Sequence, residues 1–297
     1  MIKIHQIFMA SSLSRLCVDS IDRIHSLDRD SFQQRYLAPR RPVVLTRLAE
    51  DWPARAKWTP EFFRSNYGHL MVKVFDANFA SPGRGYMSSM GKMSLSEYLE
   101  RVLVDDADLR MFLYNMPSEI PALKADVLLP TIADGFSSRF MFMFFGCKGS
   151  VTPLHYDIDM SHVFHTAIHG TKRFTLFAPE DSKRLYQHPF TVRSYVDVDR
   201  PDYERFPALE RTKGYEVILR PGETLFIPCG YWHHVYYEEG GYAISLRCSN
   251  ERMGEWLQGW FNLLLVSPID RVMNGLLADR WFRWKAQRAQ ARAASFV

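Results

Sequence analysis

Cysteine is scarce in this 297-residue sequence, and no two cysteines lie close together. The four residues Cys17, Cys147, Cys229 and Cys248 form no Cys-x-x-Cys motif. Zinc ribbons and thiol redox motifs need such close pairs, and disulfide frameworks occur mainly in short secreted chains. The cysteine content therefore argues against these classes and predicts reduced thiols in a cytoplasmic protein.

Long hydrophobic runs and an excess of charge of one sign are lacking as well. No stretch reaches the length of a membrane span, and the opening MIKIHQIFMASSLSRLCVD has too short an apolar patch for a signal peptide. A net charge of +4 comes from 37 basic and 33 acidic residues that are interspersed. This balance permits an acidic partner without demanding nucleic acid. With 47% hydrophobic residues and no internal repeat, we expect one compact globular unit.

Helix signals lie towards both ends of the chain. Helices are predicted over 28–36 and 94–104, with short strands at 42–45 and 71–75. Thr59-Pro60-Glu61 has the hydroxyl cap, the first-turn proline and the acid that are typical of a helix start. Near the carboxyl end, apolar residues at helical spacing from Ile269 to Trp284 predict one amphipathic helix.

Strand signals dominate from about residue 111 to residue 250. Short strands separated by Gly and Pro turns indicate a barrel or a sandwich. The segment from Arg139 to Phe145 is apolar apart from its first residue, so we expect a strand whose two faces are both covered. Further strands are predicted over 174–177, 215–219, 224–227, 234–237 and 243–246.

A His-x-Asp motif carries the sharpest chemical signal. In a strand, His155 and Asp157 point to the same side, roughly 6–7 Å apart along the backbone, so both can approach one metal ion. A third ligand must come from another strand, and the segment IPCGYWHH supplies histidine at 233 and 234. Two histidines and a carboxylate occupy one face of an octahedron, which is the arrangement of non-haem Fe(II) oxygenases. By itself, a His-x-Asp pair is more often a chance occurrence than a metal site.

Four segments in order, VTPLHYD, HGTKRFTLFAP, PGETLFIPCGYWHHV and GGYAISL, resemble the Jumonji C, or cupin-like, hydroxylases. The resemblance covers most of residues 28–250 and is greatest to the asparaginyl hydroxylase that inhibits hypoxia-inducible factor. It implies a mainly β fold with flanking helices and a double-stranded β-helix (jelly-roll) core. The core would span 111–250, after an N-terminal elaboration at 1–110 and before a helical segment at 251–297.

The resemblance also implies a metal site and its cosubstrate. His155, Asp157 and His233 would bind Fe(II) and carry the catalysis, with 2-oxoglutarate and O₂ as cosubstrates. His233 is implied because the family's ligand lies five residues after the proline of the IP motif, whereas His234 would point to the opposite side of the strand. Lys172 matches the lysine that pairs with the far carboxylate of 2-oxoglutarate.

Hydroxyl groups near the cosubstrate are implied at two further places. Thr152 matches a family hydroxyl, although its odd spacing from His155 requires a bend, for which Pro153 is suited. In the family, a tyrosine hydroxyl from an earlier strand completes the carboxylate pocket. Tyr114 matches that tyrosine, and Phe112 aligns with its position about equally well.

The chain departs from the asparaginyl hydroxylase at two positions near the cosubstrate. Ser161 and Arg247 stand where that protein has asparagines. Arg247 could bind the cosubstrate carboxylate or form a surface or interdomain salt bridge. Three more histidines, His162, His165 and His169, are interpreted as structural or substrate-facing groups and not as metal ligands.

The activity implied by the resemblance is hydroxylation of a side chain in a protein or peptide, with succinate and CO₂ as coproducts. N-methyl-lysine demethylation, tRNA-base hydroxylation and small-molecule hydroxylation would use the same centre. The basic tail from Arg280 to Arg292 favours nucleic acid slightly, although such a tail is more often a solvated helix face. A non-catalytic metal-binding cupin module is the alternative outside this class.

The aromatic carboxyl-terminal segment has two interpretations. Its helices either pack on the barrel or pair with a second copy of the chain. The large aromatic area favours a homodimer.

Overall fold

The structure is a computed structural model, and it describes residues 16–81, 86–104 and 108–297. The opening residues 1–15, on which the prediction of no signal peptide mainly rests, lie outside the described residues. The strands in these ranges are β1 (Cys17–Ser20), β2 (Arg23–Ile24), β3 (Val43–Leu45), β4 (Met71–Val74), β5 (Gly91–Ser94), β6 (Arg110–Tyr114), β7 (Phe136–Gly146), β8 (Val151–His155), β9 (His162–His169), β10 (Lys172–Phe177), β11 (Lys213–Leu219), β12 (Thr224–Ile227), β13 (Trp232–Tyr237) and β14 (Gly241–Cys248).

Eight consecutive strands, β7 to β14, form a double-stranded β-helix. They are divided between two sheets, with the order β11-β10-β13-β8 in one and β12-β9-β14-β7 in the other. All neighbours in both series are antiparallel. Two facing sheets of this kind bury the side chains that point inward. The predicted mainly β fold with a jelly-roll core is confirmed.

The amino-terminal strands extend the edges of these two sheets. β1 pairs in parallel with β11, and β3 pairs with β12 and carries β2 on its other side. β6 pairs with β7 at the opposite edge of the larger sheet. β4 and β5 form a separate ribbon. Added strands and helices cover edges that would otherwise present unpaired backbone groups.

Helices lie on either side of the strand-rich region. Thr59 caps one of them, because its hydroxyl accepts from the Phe62 amide over 3.1 Å, which confirms the predicted start. No helix in the described part of the chain is long and apolar enough to cross a membrane. The α-helices are α1 (Arg29–Phe32), α2 (Pro53–Lys57), α3 (Pro60–Tyr67), α4 (Leu95–Val104), α5 (Met116–Glu119), α6 (Met253–Phe261), α7 (Ser267–Leu277) and α8 (Asp279–Ala293), and π-helical turns follow α1 at Gln33–Leu37 and α6 at Asn262–Val266.

The prediction that both faces of the apolar strand are covered is wrong. Met141, Met143 and Phe145 of β7 are buried in the core cluster that includes residues of α3 and α4. On the opposite face, Phe140 is 45% exposed and Phe144 lines a cavity. The second face is apolar because it borders this cavity, a reason that the local sequence does not reveal.

The apolar stripe near the carboxyl end is carried by two helices, not by the single one predicted. The break is at Ala278, whose φ of 41° is incompatible with a right-handed helix. Polar contacts tie the two helices together, because Asp270 of α7 accepts from Trp281 Nε1 over 2.7 Å and from Lys285 Nζ over 2.6 Å. Lys285 belongs to the predicted basic tail, and this buried ion pair removes it from the solvated face.

Candidate metal centre

Two strands of the smaller sheet bring three potential metal ligands together. His155 ends β8, Asp157 follows two residues later, and His233 of β13 is paired directly with His155. One potential ligand atom from each side chain lies within 4.8 Å of the other two. His234 points away from this cluster and contacts Asp199 through Nε2 over 2.9 Å, as the alternation of a strand requires.

Backbone carbonyl groups orient both histidine rings. His155 Nδ1 lies 2.8 Å from the Pro153 oxygen, and His233 Nδ1 lies 3.2 Å from the Tyr231 oxygen. A carbonyl can only accept, so each Nδ1 carries a proton and each Nε2 keeps its lone pair. Burial lowers the pKa of both imidazoles, and for His155 the neighbouring ring and Arg193 lower it further. Both rings are therefore held in the neutral form that a metal requires.

Arg247 of β14 holds the carboxylate of the cluster. Its Nη1 lies 2.6 Å from Asp157 Oδ2, and its Nη2 donates to Oδ1 over 3.0 Å. Burial would raise the pKa of Asp157, but the adjacent guanidinium and histidines bring it below its ordinary value. Nη1 also donates to Ser161 over 3.3 Å, so the two departures from the asparaginyl hydroxylase pattern contact each other. Of the two alternatives for Arg247, the structure shows a salt bridge, but with a candidate ligand and not at the surface.

Lys172 is a buried cation whose contacts are neutral. It begins β10 after a turn at Gly170, where a φ of 70° favours glycine. Its Nζ donates to the Tyr237 hydroxyl over 3.2 Å and to the Phe144 carbonyl over 3.4 Å, and His165 Nε2 is 3.5 Å away. Burial lowers its pKa well below the ordinary value. No carboxylate in the described ranges pairs with it, so an anion bound here would relieve the cost of its burial.

Sequence reasoning missed Tyr237. The residue lies four positions after His233 on β13, and therefore on the same face of the strand, and it is paired directly with Lys172. That even spacing was the available signal. The register that sets it opposite Lys172 could not be inferred from the sequence.

Thr152 and His155 both line a cavity of about 270 Å³ beside the cluster. Their odd spacing is accommodated by a shift in pairing, since His155 is opposite His233 and Thr152 is opposite Val235. Pro153 and Leu154 of β8 thus lie opposite the single residue His234 of β13, which is the geometry of a β-bulge. The bulge contains Pro153, where the sequence predicted a bend.

Of the two aromatic candidates on β6, the structure places Phe112 and not Tyr114 at the cavity. The Tyr114 hydroxyl instead donates to Glu119 over 2.8 Å. The intervening residue Leu113 has a φ of 54°, and the pairing of β6 with β7 shifts there. This local distortion turns Tyr114 away, and it corrects the sequence-based candidate. The hydroxyl that lies beside Lys172 belongs to Tyr237.

The three additional histidines do not join the cluster. His162 Nδ1 accepts from the Cys229 amide over 3.0 Å, and His165 Nδ1 lies 2.7 Å from the Ser245 hydroxyl. His169 stacks on a tyrosine ring at a centroid distance of 5.4 Å. These contacts agree with a structural interpretation.

Comparisons with known proteins identify the domain. The model of the family described as the cupin-like domain matches residues 29–261. Lysine-specific demethylase 8 of Xenopus tropicalis is 27% identical over an alignment of 235 residues, gaps included, that covers 76% of this chain and 52% of that protein. The arginine-specific demethylase JMJ20 of Arabidopsis thaliana is 28% identical over an alignment of 280 residues, gaps included, that covers 81% of this chain and 59% of that protein. The human tRNA wybutosine-synthesizing protein 5 is 25% identical over an alignment of 248 residues, gaps included, that covers 76% of each chain.

The chain spans between about half and three-fifths of the length of the two demethylases. The region matched by the family model includes β7 to β14 and the three clustered side chains. This chain therefore belongs to the family of proteins with a cupin-like domain.

Proposed function

We propose that this protein is an Fe(II)- and 2-oxoglutarate-dependent oxygenase. The observation that carries the proposal is the convergence of two neutral imidazoles and one carboxylate beside a cavity. This donor set fits Fe(II), since two imidazoles and one carboxylate would hold the ion and leave coordination positions open for a bidentate cosubstrate and O₂. The bound iron would couple oxidative decarboxylation of 2-oxoglutarate, giving succinate and CO₂, to transfer of one oxygen atom to the substrate.

The residues of the chain have separate tasks in this proposal. His155, Asp157 and His233 hold the metal, and Arg247 keeps Asp157 ionised and fixes its orientation. Lys172, assisted by the Tyr237 hydroxyl, neutralises the distal carboxylate of the cosubstrate. The hydroxyl of Thr152, which lines the cavity beside the metal cluster, donates to the cosubstrate. Aromatic walls exclude water from the reacting atoms.

The substrate that we propose is a side chain of a protein or peptide. Two of the relatives are named for demethylation of lysine and arginine, and the cavity of about 270 Å³ has room for one side chain. Hydroxylation, as in the asparaginyl hydroxylase, is the simplest outcome of the proposed chemistry, because a stable carbon–oxygen bond needs no further step. On an N-methyl group the same hydroxylation releases formaldehyde.

A tRNA base is the second candidate. The relative named for tRNA wybutosine synthesis is matched over 76% of its length. Four arginines of α8, namely Arg280, Arg283, Arg288 and Arg292, are exposed, and a basic helix favours contact with phosphates. Lys285 does not contribute to this surface, because it is buried against Asp270.

The test of the proposed function is production of succinate by the purified chain supplied with Fe(II), ascorbate and 2-oxoglutarate. We expect succinate even without a substrate, and we expect His233→Ala to abolish it. His234→Ala is the matched control, since the neighbouring ring points to the other side of β13. A chain that binds metal and yields no succinate is a non-catalytic cupin module, and the proposal then fails.

Products distinguish the candidate substrates. Incubation with Fe(II), added 2-oxoglutarate and a cell lysate from which endogenous 2-oxoglutarate has been removed should add oxygen to a peptide if side-chain hydroxylation is correct, and no oxygen should be added when 2-oxoglutarate is left out. Release of formaldehyde would instead indicate demethylation, and an oxidised nucleoside in digested tRNA would indicate the second candidate.

We also propose a homodimer formed through α6, the π-helical turn and α7. This segment has an unusual number of exposed large apolar side chains, and several of its residues border the cavity. Their exposed area is on the order of 1,000 Å² per protomer, which compares with roughly 800 Å² per partner in a standard interface. The exposed side chains are Met253, Trp256, Leu257, Trp260, Phe261, Leu263, Leu264, Leu265, Ile269, Val272, Leu276 and Leu277.

Sedimentation of the purified chain tests the dimer. We expect a dimer at micromolar concentration and a monomer after Trp256→Glu and Trp260→Glu together. A wild-type chain that sediments as a soluble monomer would show that a second copy does not cover this face.

A further inference from the structure

Arg193 brings a second buried cation to the cavity. It lies in the segment between β10 and β11 and forms an isolated backbone bridge with His155. Its side chain is only 7% exposed, and it lines the same cavity as His155 and Asp157. Neither the metal cluster nor the Lys172 site uses it.

The contacts of this guanidinium are few and neutral. Nε donates to the Tyr86 hydroxyl over 3.2 Å, and Nη2 lies 3.5 Å from the Met87 sulfur. Nη1 is buried without a hydrogen-bond partner, and the Phe79 ring lies 5.6 Å from the guanidinium carbon. An arginine has five N–H donors, and leaving several unsatisfied in a buried place is costly. An acceptor that is not part of the described chain is therefore expected here.

The acids around the cavity are already paired. Asp157 is bound by Arg247, and Asp270 is bound by Lys285. Among the described residues, no carboxylate lies within ion-pair distance of Arg193. If Lys172 takes the distal carboxylate of the cosubstrate, the charge of Arg193 is the one that remains unbalanced. An unbalanced buried charge calls for an anion from the substrate.

We propose that Arg193 binds a carboxylate group of the substrate, so that the protein oxidises an acidic peptide side chain or a small carboxylic acid. Nη1 is free and Nη2 contacts only a thioether, a weak acceptor, so both can turn to the two oxygens of one carboxylate. The walls formed by Phe79, Phe112 and Phe190 fit the carbon chain between the carboxylate and the oxidised carbon. This inference rests on the proposed oxygenase activity and specifies its substrate class.

A phosphate fits this place less well than a carboxylate. A phosphomonoester has a charge of about −1.5 to −2 and three acceptor oxygens, and it is usually held by several cations. Among the described residues, Arg193 and Arg271 are the two cationic side chains that line the cavity. Arg271 is exposed to solvent. The geometry therefore favours a single planar carboxylate over a phosphomonoester.

Matched acid and amide probes test the inference. The probes form three acid–amide pairs. The first is N-acetyl-glutamate with N-acetyl-glutamine, and the other two are capped pentapeptides whose central residue is Glu in one and Gln in the other, or Asp in one and Asn in the other. Binding to the Mn(II)- and 2-oxoglutarate-loaded protein is measured by ligand-observed NMR without oxygen, and succinate formation is measured with Fe(II) in air. We expect an acid to bind about tenfold more tightly than its amide and to stimulate succinate formation, since charge-assisted hydrogen bonds in a buried site are worth this factor or more.

The same probes are then applied to arginine variants. Arg193→Gln should reduce the preference for acid over amide to less than about threefold, and Arg193→Lys, which keeps the charge without the fork, should restore part of it. Arg64→Gln, on the exposed face of α3, controls for loss of one arginine and should keep the full preference. Circular dichroism establishes whether each variant is folded. If Arg193→Gln is not folded, Arg193→Lys is the test, and its preference for acid over amide should be weaker than that of the wild type because lysine cannot bind a carboxylate in the bidentate way.

Four results would overturn the inference. Three concern the wild type: it binds acid and amide equally, it binds no acid probe, or it binds an oligonucleotide more tightly than every acid. The fourth is that Arg193→Gln no longer binds 2-oxoglutarate, which would assign the arginine to the cosubstrate. Succinate formed without any substrate separates this failure from failure of the proposed function. A chain that forms it but prefers no acid is an oxygenase for another substrate class.

Discussion

Replacing Lys172 by methionine should stabilise the protein in the absence of cosubstrate. The lysine Nζ makes only neutral contacts at 3.2 to 3.5 Å, at or beyond the long end of normal hydrogen bonds. Such contacts recover little of the several kcal/mol that burial of an ammonium costs. Methionine has a similar volume and needs no partner. We expect a gain of roughly 1–3 kcal/mol in the free energy of unfolding at neutral pH, with a rise in Tm of about 2–4 °C for each kcal/mol.

The pH dependence of this gain has a definite sign. Burial lowers the pKa of Lys172 well below the ordinary lysine value of 10.5, so between the folded and unfolded pKa values the unfolded chain binds more protons. The free energy of unfolding of the wild type therefore rises with pH through this window. The advantage of Lys172→Met should be largest below the folded pKa and should vanish as the pH approaches 10.5.

The assay is thermal and urea unfolding across this pH range, with and without 2-oxoglutarate and Mn(II). At a cosubstrate concentration of one hundred Kd, the free energy of unfolding of the wild type should rise by about 2.7 kcal/mol. That of the variant should rise no further than the metal alone raises it. Lys92→Met, at an exposed position on β5, is the control for loss of one lysine. A variant that is less stable than the wild type without cosubstrate, or that still responds to 2-oxoglutarate, would refute the assignment of Lys172 as an anion site.

Three further predictions concern single contacts. Arg247→Met should weaken Mn(II) binding by about tenfold or more, because the carboxylate of the cluster loses the group that orients it; unchanged affinity in calorimetry would contradict this. Tyr237→Phe should raise the Kd for 2-oxoglutarate by several fold through loss of one hydroxyl, without changing the affinity for metal alone. Asp270→Asn should lower the free energy of unfolding by roughly 3–5 kcal/mol, because Lys285 keeps a buried charge without a counter-ion. Adding Lys285→Met to it should recover most of that loss in urea unfolding, and equal stability of the single and double variants would refute this explanation.

Much of the candidate site follows from the two-residue alternation of strands. His155 and Asp157 share a side because they are two residues apart, and His233 and His234 point in opposite directions because they are adjacent. The same rule fails at Thr152, where a bulge inserts one residue. It fails also at Tyr114, where a positive φ at Leu113 disrupts β6. Local backbone distortions of this kind hardly change the periodic pattern of the sequence, so the pattern alone does not locate them.

Other predictions remain predictions. The division at residues 110 and 250, the cytoplasmic location, and the identity of the substrate are proposals that the experiments above or direct localisation can test. The core strands themselves occupy Phe136–Cys248, and β6 adds a strand at the edge of the larger sheet, so a boundary near residue 110 would keep this pairing within one unit.

The sequence by itself determined the succession of short strands, the flanking helices and the side of the strand on which each ligand lies, because these depend on spacing along the chain. Only the tertiary structure decided which charges are matched. Arg247 meets Asp157 across 90 positions, whereas Lys172 and Arg193 meet no acid in the described chain. Charge pairing depends on the register between strands that are distant in sequence, and a charge left over in a buried place is visible only after every partner has been located.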